Sequence, residues 1–121
     1  MATLLVNSGK AVVTNRIQGS GTAPQYVAWG TGAGTTAATD TTLFTETGTR
    51  TSGTMSQQTT SVTNDTYQVV GTMTAGASLA ITNAGLFDAS TSGNLFVKGD
   101  FSTVNLNSGD SIQFTFKTQF S

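Results

Sequence analysis

The chain of 121 residues contains no cysteine, no histidine and a single proline. Without cysteine there are no disulfides or thiolate metal sites, and without histidine the commonest general base and transition-metal ligand is missing. Charged residues make up 9% of the chain, against about 25% in a typical globular domain. Because a free-standing protein usually carries more charge for solubility, the composition indicates a protein that works inside an assembly.

Positive charges are too few and too scattered for a polyanion site. The basic residues stand singly along the sequence, as Lys10, Arg16, Arg50, Lys98 and Lys117. Nucleic-acid binding needs a basic patch that neutralises several phosphates, so we expect no nucleic-acid partner. The opening "MATLLVNSG" has no basic segment and only three consecutive large apolar residues. It predicts neither a signal peptide nor a membrane span, so we expect synthesis in a cytoplasm and no membrane partner.

Threonine is abundant, at about a fifth of the residues. Its branched side chain is stiff at the first torsion and packs well on a pleated sheet, which favours strands. In residues 111–120 apolar and polar residues alternate, and this period of two predicts a strand with one buried face. That face consists of Ile112, Phe114, Phe116 and Phe120. The turn formers in "NLNSGD" directly precede it.

Further strands are predicted upstream. "TYQVVGTMT" (66–74) predicts a strand that buries Tyr67, Val69 and Met73, with Gly71 as a bulge. Residues 78–101 predict a hairpin of two antiparallel strands around a turn of small and polar residues. The threonine-rich segment 49–62 is weakly apolar, which predicts a solvent-facing or edge strand.

The N-terminal region carries helix signals at both ends. Asn7 or Ser8 can cap the first amides, and Val13 and Ile17 are spaced four apart. Gly19 stands where a left-handed residue would end the helix. The chain therefore predicts one mainly β domain over 1–121, with 1–20 as an N-terminal arm and short helix. We expect an antiparallel β-sandwich of about six to seven strands with that one helix.

A glycine-rich stretch, "YVAWGTGAGTTAATDTTLF" (26–44), resembles a phosphate-binding loop at first sight. A Walker loop needs a Lys followed by Ser or Thr after its last glycine, and no Lys is near. A dinucleotide fingerprint needs a third glycine at position 35, which is Thr35. We therefore expect "YVAWG" to be a strand and the remainder to be a surface connection.

The acidic residues lie in or beside predicted turns, where carboxylates serve the backbone. Asp88 to Gly93 imitates the opening of a calcium loop, but the twelfth position, which requires a bidentate Glu, is Gly99. A nucleophilic serine would need Lys as its base, and no convincing spacing occurs. We expect no catalytic residue, cofactor, metal or small-molecule substrate, and hence no enzyme.

Five apolar and aromatic residues are candidates for a partner interface: Leu4, Leu5, Val6, Tyr26 and Trp29. The first three are either tucked into the domain or docked on a partner. The two aromatics could stack on a sugar ring, pack in the core or line a subunit interface. The sequence leaves these alternatives open.

Three segments carry a resemblance to a known group of proteins. They are "NSGKAVVTNRIQG", "YVAWGTGAGTTAATDTTL" with the following threonine-rich strand around Arg50, and "AITNAGLFDASTSGNLFVKGDFSTVNLNSGDSIQFTFKTQF". Together they resemble small virion structural proteins of tailed bacteriophages, in capsid cement (decoration) and tail-fibre-like groups. The resemblance implies a virion β-sandwich that oligomerises and binds other virion proteins.

Two functions follow from this resemblance. The first is a homotrimeric capsid cement protein that binds the major capsid protein and stabilises contacts between capsomers. The alternative is a tail or collar fibre component that binds host surface carbohydrate through Tyr26, Trp29 or the loops.

Overall fold

The computed structural model describes residues 3–121, which form eight strands and one helix. In chain order these are β1 (Thr3–Leu5), α1 (Asn7–Ile17), β2 (Tyr26–Gly30), β3 (Glu46–Ser52), β4 (Thr54–Gln58), β5 (Thr66–Thr74), β6 (Leu79–Phe87), β7 (Leu95–Leu106) and β8 (Ser111–Gln119). The mainly β fold with one short N-terminal helix is confirmed. The number of strands exceeds the expected six to seven because β1 also pairs and the strand predicted in 49–62 divides into β3 and β4.

The strands form two antiparallel sheets that pack face to face. The five-stranded sheet has the order β1-β7-β6-β2-β3, and the three-stranded sheet has the order β4-β5-β8. The inner faces of both sheets supply the main core, including Trp29, Leu86, Val69 and Phe116. Ring contacts add to this packing, since Trp29 meets Phe114 edge to face at 6.4 Å between centroids. The predicted antiparallel sandwich is thus confirmed.

The helix has the predicted extent, but its start differs from expectation. The N-cap residue is Val6, with no side-chain cap, and neither Asn7 nor Ser8 caps the helix. The backbone N–H of Asn7 donates instead to the carbonyl of Ala38 at 2.8 Å. Ser8 Oγ donates to the carbonyl of Leu95 at 2.7 Å, because the helix lies against β7.

The end of the helix follows the prediction. Gly19 has φ of 93°, and its N–H donates to the carbonyl of Arg16, while Ser20 N–H donates to Asn15. This pair of bonds is a Schellman motif, which satisfies carbonyls that the last turn leaves open. The predicted spacing of Val13 and Ile17 does not describe the buried face: Ile17 is 79% exposed, and Val12 is buried in the core instead.

The strands of the three-stranded sheet show two corrections. Gly71 is not a bulge, because β5 pairs with β8 without interruption and Gly71 lies opposite Phe114. A Cβ at Gly71 would lie 2.6 Å from Val27 Cγ2, so the glycine permits close approach of the two sheets. Phe120 was expected in the core but lies beyond β8 and is 46% exposed, and Thr118 ends the buried row.

The remaining strand predictions agree with the structure. β6 and β7 form the predicted antiparallel hairpin, although β7 continues beyond the expected end to Leu106. The threonine-rich segment forms edge strands in both sheets, because the chain leaves β3 at Ser52, turns at Gly53 and enters β4 in the other sheet. The chain therefore connects the two sheets covalently at this side of the sandwich.

Candidate functional site

The outer face of the five-stranded sheet is covered by residues 31–45, which we call the strap. Beneath it lies a second apolar cluster, made of Val6, Ala28, Leu43, Phe87 and Leu95. The predicted surface connection is confirmed for most of the strap, which is exposed and has no helix or strand, but Leu43 and Thr36 are buried, so the strap also packs against the sheet. The outer face of β2, β6 and β7 carries apolar side chains that need a cover.

A fully buried lysine holds the strap to the sheet. Lys98 on β7 is 0% exposed, and its Nζ lies 2.9 Å from Asp40 Oδ2 and donates to the carbonyl of Thr42 at 3.0 Å. The same ammonium lies 3.3 Å from the centroid of the Phe44 ring. Because a buried cation is costly without compensation, these three partners explain why Lys98 is tolerated in a buried row.

A hydrogen bond from its own loop stabilises the ionised form of Asp40. Its Oδ2 accepts a hydrogen bond from the Ala37 N–H at 3.0 Å. That bond, together with the one from Lys98, holds the pKa of the Asp40 carboxyl below its usual value. The carboxylate is thus kept in the charged form that Lys98 requires.

A buried amide forms a second attachment of the strap. Asn83 on β6 is 0% exposed. Its Nδ2 donates to the carbonyl of Phe44 at 3.1 Å, and its Oδ1 accepts from the N–H of Phe44 at 3.0 Å. The side chain therefore satisfies both backbone groups of one strap residue, as a neighbouring strand would do.

Arg50 fixes the β6–β7 turn to the edge of the same sheet. Its guanidinium makes two bonds to Glu46, at 2.8 and 3.0 Å, and Nη1 donates to the carbonyls of Ala89 and Ser92 at 2.8 and 2.6 Å. The group also lies 3.6 Å above the centroid of the Phe87 ring. The donors of Arg50 are thus used within the fold.

The turn carboxylates are likewise engaged by their own loops. Asp88 accepts from the N–H and the side-chain amide of Asn94, at 2.6 and 3.0 Å, which closes the β6–β7 turn. Asp65 accepts from three backbone N–H groups at 60–62, and these bonds hold its pKa well below the usual value. Within residues 3–121 no group of three Asp, Glu, His or Cys side chains converges as a metal site would require.

The side of the sandwich opposite the Gly53 crossing is open. A groove of about 860 Å³ separates β1, at the edge of the larger sheet, from β8, at the edge of the smaller one. Its lining is mostly apolar and includes Leu4, Leu5, Val97, Phe101, Phe114 and Phe116. We call this feature the open groove.

A family model described as "Podophage GP4 fiber I protein gp80" matches residues 10–119. The chain belongs to this podophage fibre I family. The match confirms the resemblance to virion structural proteins of tailed phages, and the protein is a structural part of the virion. No curated protein and no solved structure matches the chain.

The interface candidates of this fibre I family member fall in different places. Val6 is 0% exposed and Trp29 is 2% exposed, so both side chains are buried within the protein itself. The Trp29 ring is therefore closed to a sugar. Leu4 and Leu5 are half-buried at the open groove, and Tyr26 is half-buried beside the strap cluster. A partner at these three residues stays a prediction.

In this fibre I family member, the roles of Lys98 and Asn83 were not predicted from the sequence. Both carry a recognisable signal, because each is a polar residue within a mainly apolar segment, "NLFVKGDF" for Lys98 and "AITNAGLF" for Asn83. Such residues must find partners when the strand is buried on both faces.

In the part of the chain that the structure describes, no helix has the length and apolar character to cross a membrane.

Proposed function

We propose that this protein is a structural subunit of a podophage fibre and has no catalytic activity. The observation that carries the proposal is the family match, which spans nearly the entire chain. The use of Lys98, Arg50 and the turn carboxylates inside the fold supports the absence of catalysis, because a catalytic group must be free to meet a substrate.

Capsid cement, the first function implied by the sequence resemblance, is the alternative. A cement protein binds the assembled shell through many modest contacts and stabilises it by mass action. The low charge of the chain suits either position in the virion. The family description favours the fibre, so we place cement second, with the major capsid protein as its partner.

Binding of host surface carbohydrate is a separate step from fibre assembly. The buried Trp29 ring cannot provide the stacking platform, so a sugar would have to meet the loops or Tyr26. The proposal therefore concerns the structural role alone.

Gold-labelled antibody against the protein, viewed on intact virions by electron microscopy, tests the proposal. We expect label on fibres and a bare shell. Label spread evenly over the shell would contradict it, as would saturable loading of the purified protein onto undecorated capsids in fixed ratio to the major shell protein. Virions treated with pre-immune antibody are the control.

A further inference from the structure

A small polar cavity lies between α1, the segment that follows it and the β6–β7 turn. It has a volume of about 330 Å³. This is at the lower end of the range for small-molecule sites, about 300–1,000 Å³, so the cavity has room for one ring and not for a chain of rings. Its polar lining includes Ser8, Asn15, Gln18, Thr22, Asp88 and Asn94. We call this feature the helix–turn cavity.

The walls of the helix–turn cavity are held in place by the fold. Ser8 Oγ donates to the carbonyl of Leu95 at 2.7 Å, which fixes the start of α1 to β7. Arg16 Nη1 donates to the carbonyl of Gly21 at 2.9 Å, which fixes the segment after the helix. Arg50 holds the β6–β7 turn. A ligand that enters therefore meets walls that are already ordered, which lowers the entropic cost of binding.

Two side-chain amides near the end of α1 have fixed orientations. Gln18 Nε2 donates to Asn15 Oδ1 at 3.0 Å. Gly21 closes over the same amide, since a Cβ at this residue would lie 2.6 Å from Asn15 Nδ2. Among residues 3–121, no group accepts from Asn15 Nδ2 and none donates to Gln18 Oε1. Two donors and one acceptor are therefore left for a ligand, close to each other.

The β6–β7 turn and the segment after α1 add further polar groups to the cavity. Asp88 accepts from the N–H and the side-chain amide of Asn94, at 2.6 and 3.0 Å. These bonds use two of the about four lone-pair positions of a carboxylate, so Asp88 can accept further bonds without leaving the turn. The hydroxyl of Thr22 can both donate and accept.

The charge of the lining narrows the class of ligand. No lysine or arginine is among the residues of the described chain that line the cavity, and Asp88 is the one charged residue there. An anion would therefore meet a like charge without a compensating cation. A cation would leave the donors of Asn15 without a partner. A neutral ligand with several hydroxyls uses both kinds of group.

We propose that the helix–turn cavity binds one ring of a neutral sugar. Each sugar hydroxyl both donates and accepts, so neighbouring hydroxyls can pair with the amides of Asn15 and Gln18 and with the Asp88 carboxylate. Ala11 and Val12 provide a small apolar surface for the C–H groups of the ring. This binding is additional to the structural role, and its test does not depend on where the protein lies in the virion.

Titration of the nitrogen-15-labelled protein with glucose, galactose and mannose, followed by nuclear magnetic resonance, tests the proposal. We expect at least one of the three sugars to shift the amide signals of residues 8–22 and 88–94. For a ligand of about a dozen non-hydrogen atoms, a Kd of about 1–10 mM is expected. The matching uronates carry a carboxylate in place of the neutral CH₂OH group. They should bind at least about threefold more weakly, because Asp88 repels them.

Asn15→Ala tests the contribution of the amide donors. It removes both free donors, so the Kd of the sugar that binds should rise about tenfold. Asn15 is exposed and alanine is favourable in a helix, so the variant should fold. Gln18→Ala removes the free acceptor and should also raise the Kd. Asn105→Ala, at an exposed position on β7 far from the turn, is the matched control and should leave the Kd unchanged.

Several results would overturn the proposal. One is the absence of shifts with all three sugars at concentrations up to about 100 mM. Others are shifts confined to amides outside the two segments, and a Kd that Asn15→Ala leaves unchanged. A uronate that binds as tightly as its neutral counterpart would also overturn it, since Asp88 would then not face the ligand. Far-ultraviolet circular dichroism of each variant verifies the fold.

Discussion

The two faces of the five-stranded sheet are stabilised in different ways. The inner face packs apolar side chains such as Trp29 and Leu86 against the smaller sheet. The outer face is covered by the strap, which is attached by two buried polar side chains, Lys98 and Asn83. Apolar packing is non-directional and depends on volume, whereas the strap depends on a few bonds with fixed geometry. Substitutions on the two faces should therefore destabilise the protein for different reasons.

Trp29→Ala should have the largest effect. Trp29 is 2% exposed, is the one tryptophan of the chain and packs in the core between the two sheets. Removing it leaves a cavity that neighbours only partly fill, so the free energy of unfolding should fall by about 3–5 kcal/mol. Urea denaturation followed by circular dichroism measures this.

The control for this substitution is Phe120→Ala, since Phe120 is 46% exposed beyond β8. We expect a change within about 0.5 kcal/mol. Equal losses in the two variants would mean that burial does not set the stability of the inner face.

Asp40→Ala should cost nearly as much on the outer face. It leaves the ammonium of Lys98 buried with only the Thr42 carbonyl and the Phe44 ring. We expect a loss of about 3 kcal/mol, the low end for breaking a buried pair, because the Asp40 side chain is 21% exposed. Urea denaturation measures the change.

Lys98→Met is the informative companion. It removes the buried charge but keeps an apolar stem beside Phe44, while Asp40 can regain water. Its loss should therefore be smaller than that of Asp40→Ala. The opposite order would show that Lys98 contributes packing rather than an ion pair.

Asn83→Ala should destabilise by about 2 kcal/mol. The substitution leaves the N–H of Phe44 without its partner in a covered place, while the C=O of Phe44 loses one of two donors and keeps the N–H of Gly32. Hydrogen exchange adds a local measurement, since the Phe44 amide should lose protection while amides of β5 keep theirs. Asn105→Ala, at an exposed position on β7, is the control, and an equal loss there would contradict a special role for Asn83.

The two faces also differ in how much of their structure could be predicted from the sequence. The alternation in residues 111–120 and 66–74 identified most of the apolar layer that the smaller sheet packs against the inner face, because a period of two directly reports a one-sided strand. The packing of the strap on the sheet escaped prediction, since it depends on Lys98 and Asn83, which lie far along the chain from Asp40 and Phe44. The prediction that Phe120 is buried was wrong because alternation cannot tell where a strand ends. The open groove also needed the structure, since it depends on the order of strands in both sheets.

The smallest effect concerns the one phenol that packs against the inner face. Tyr67 OH donates to the carbonyl of Pro24 at 2.8 Å, and burial raises the pKa of Tyr67 from 10.0 to about 12. Because this pKa is higher in the folded state, the stability it provides is complete below about pH 10 and is lost as the pH rises towards about 12. The Tyr67→Phe variant has no phenol at this position and therefore nothing there that titrates in this pH range. The difference in free energy of unfolding between the original protein and Tyr67→Phe should therefore shrink across this range, measured by urea denaturation at each pH. A constant difference would mean that the phenol is as open to water in the folded state as in the unfolded chain, and that the inner face excludes water less well than its apolar packing implies.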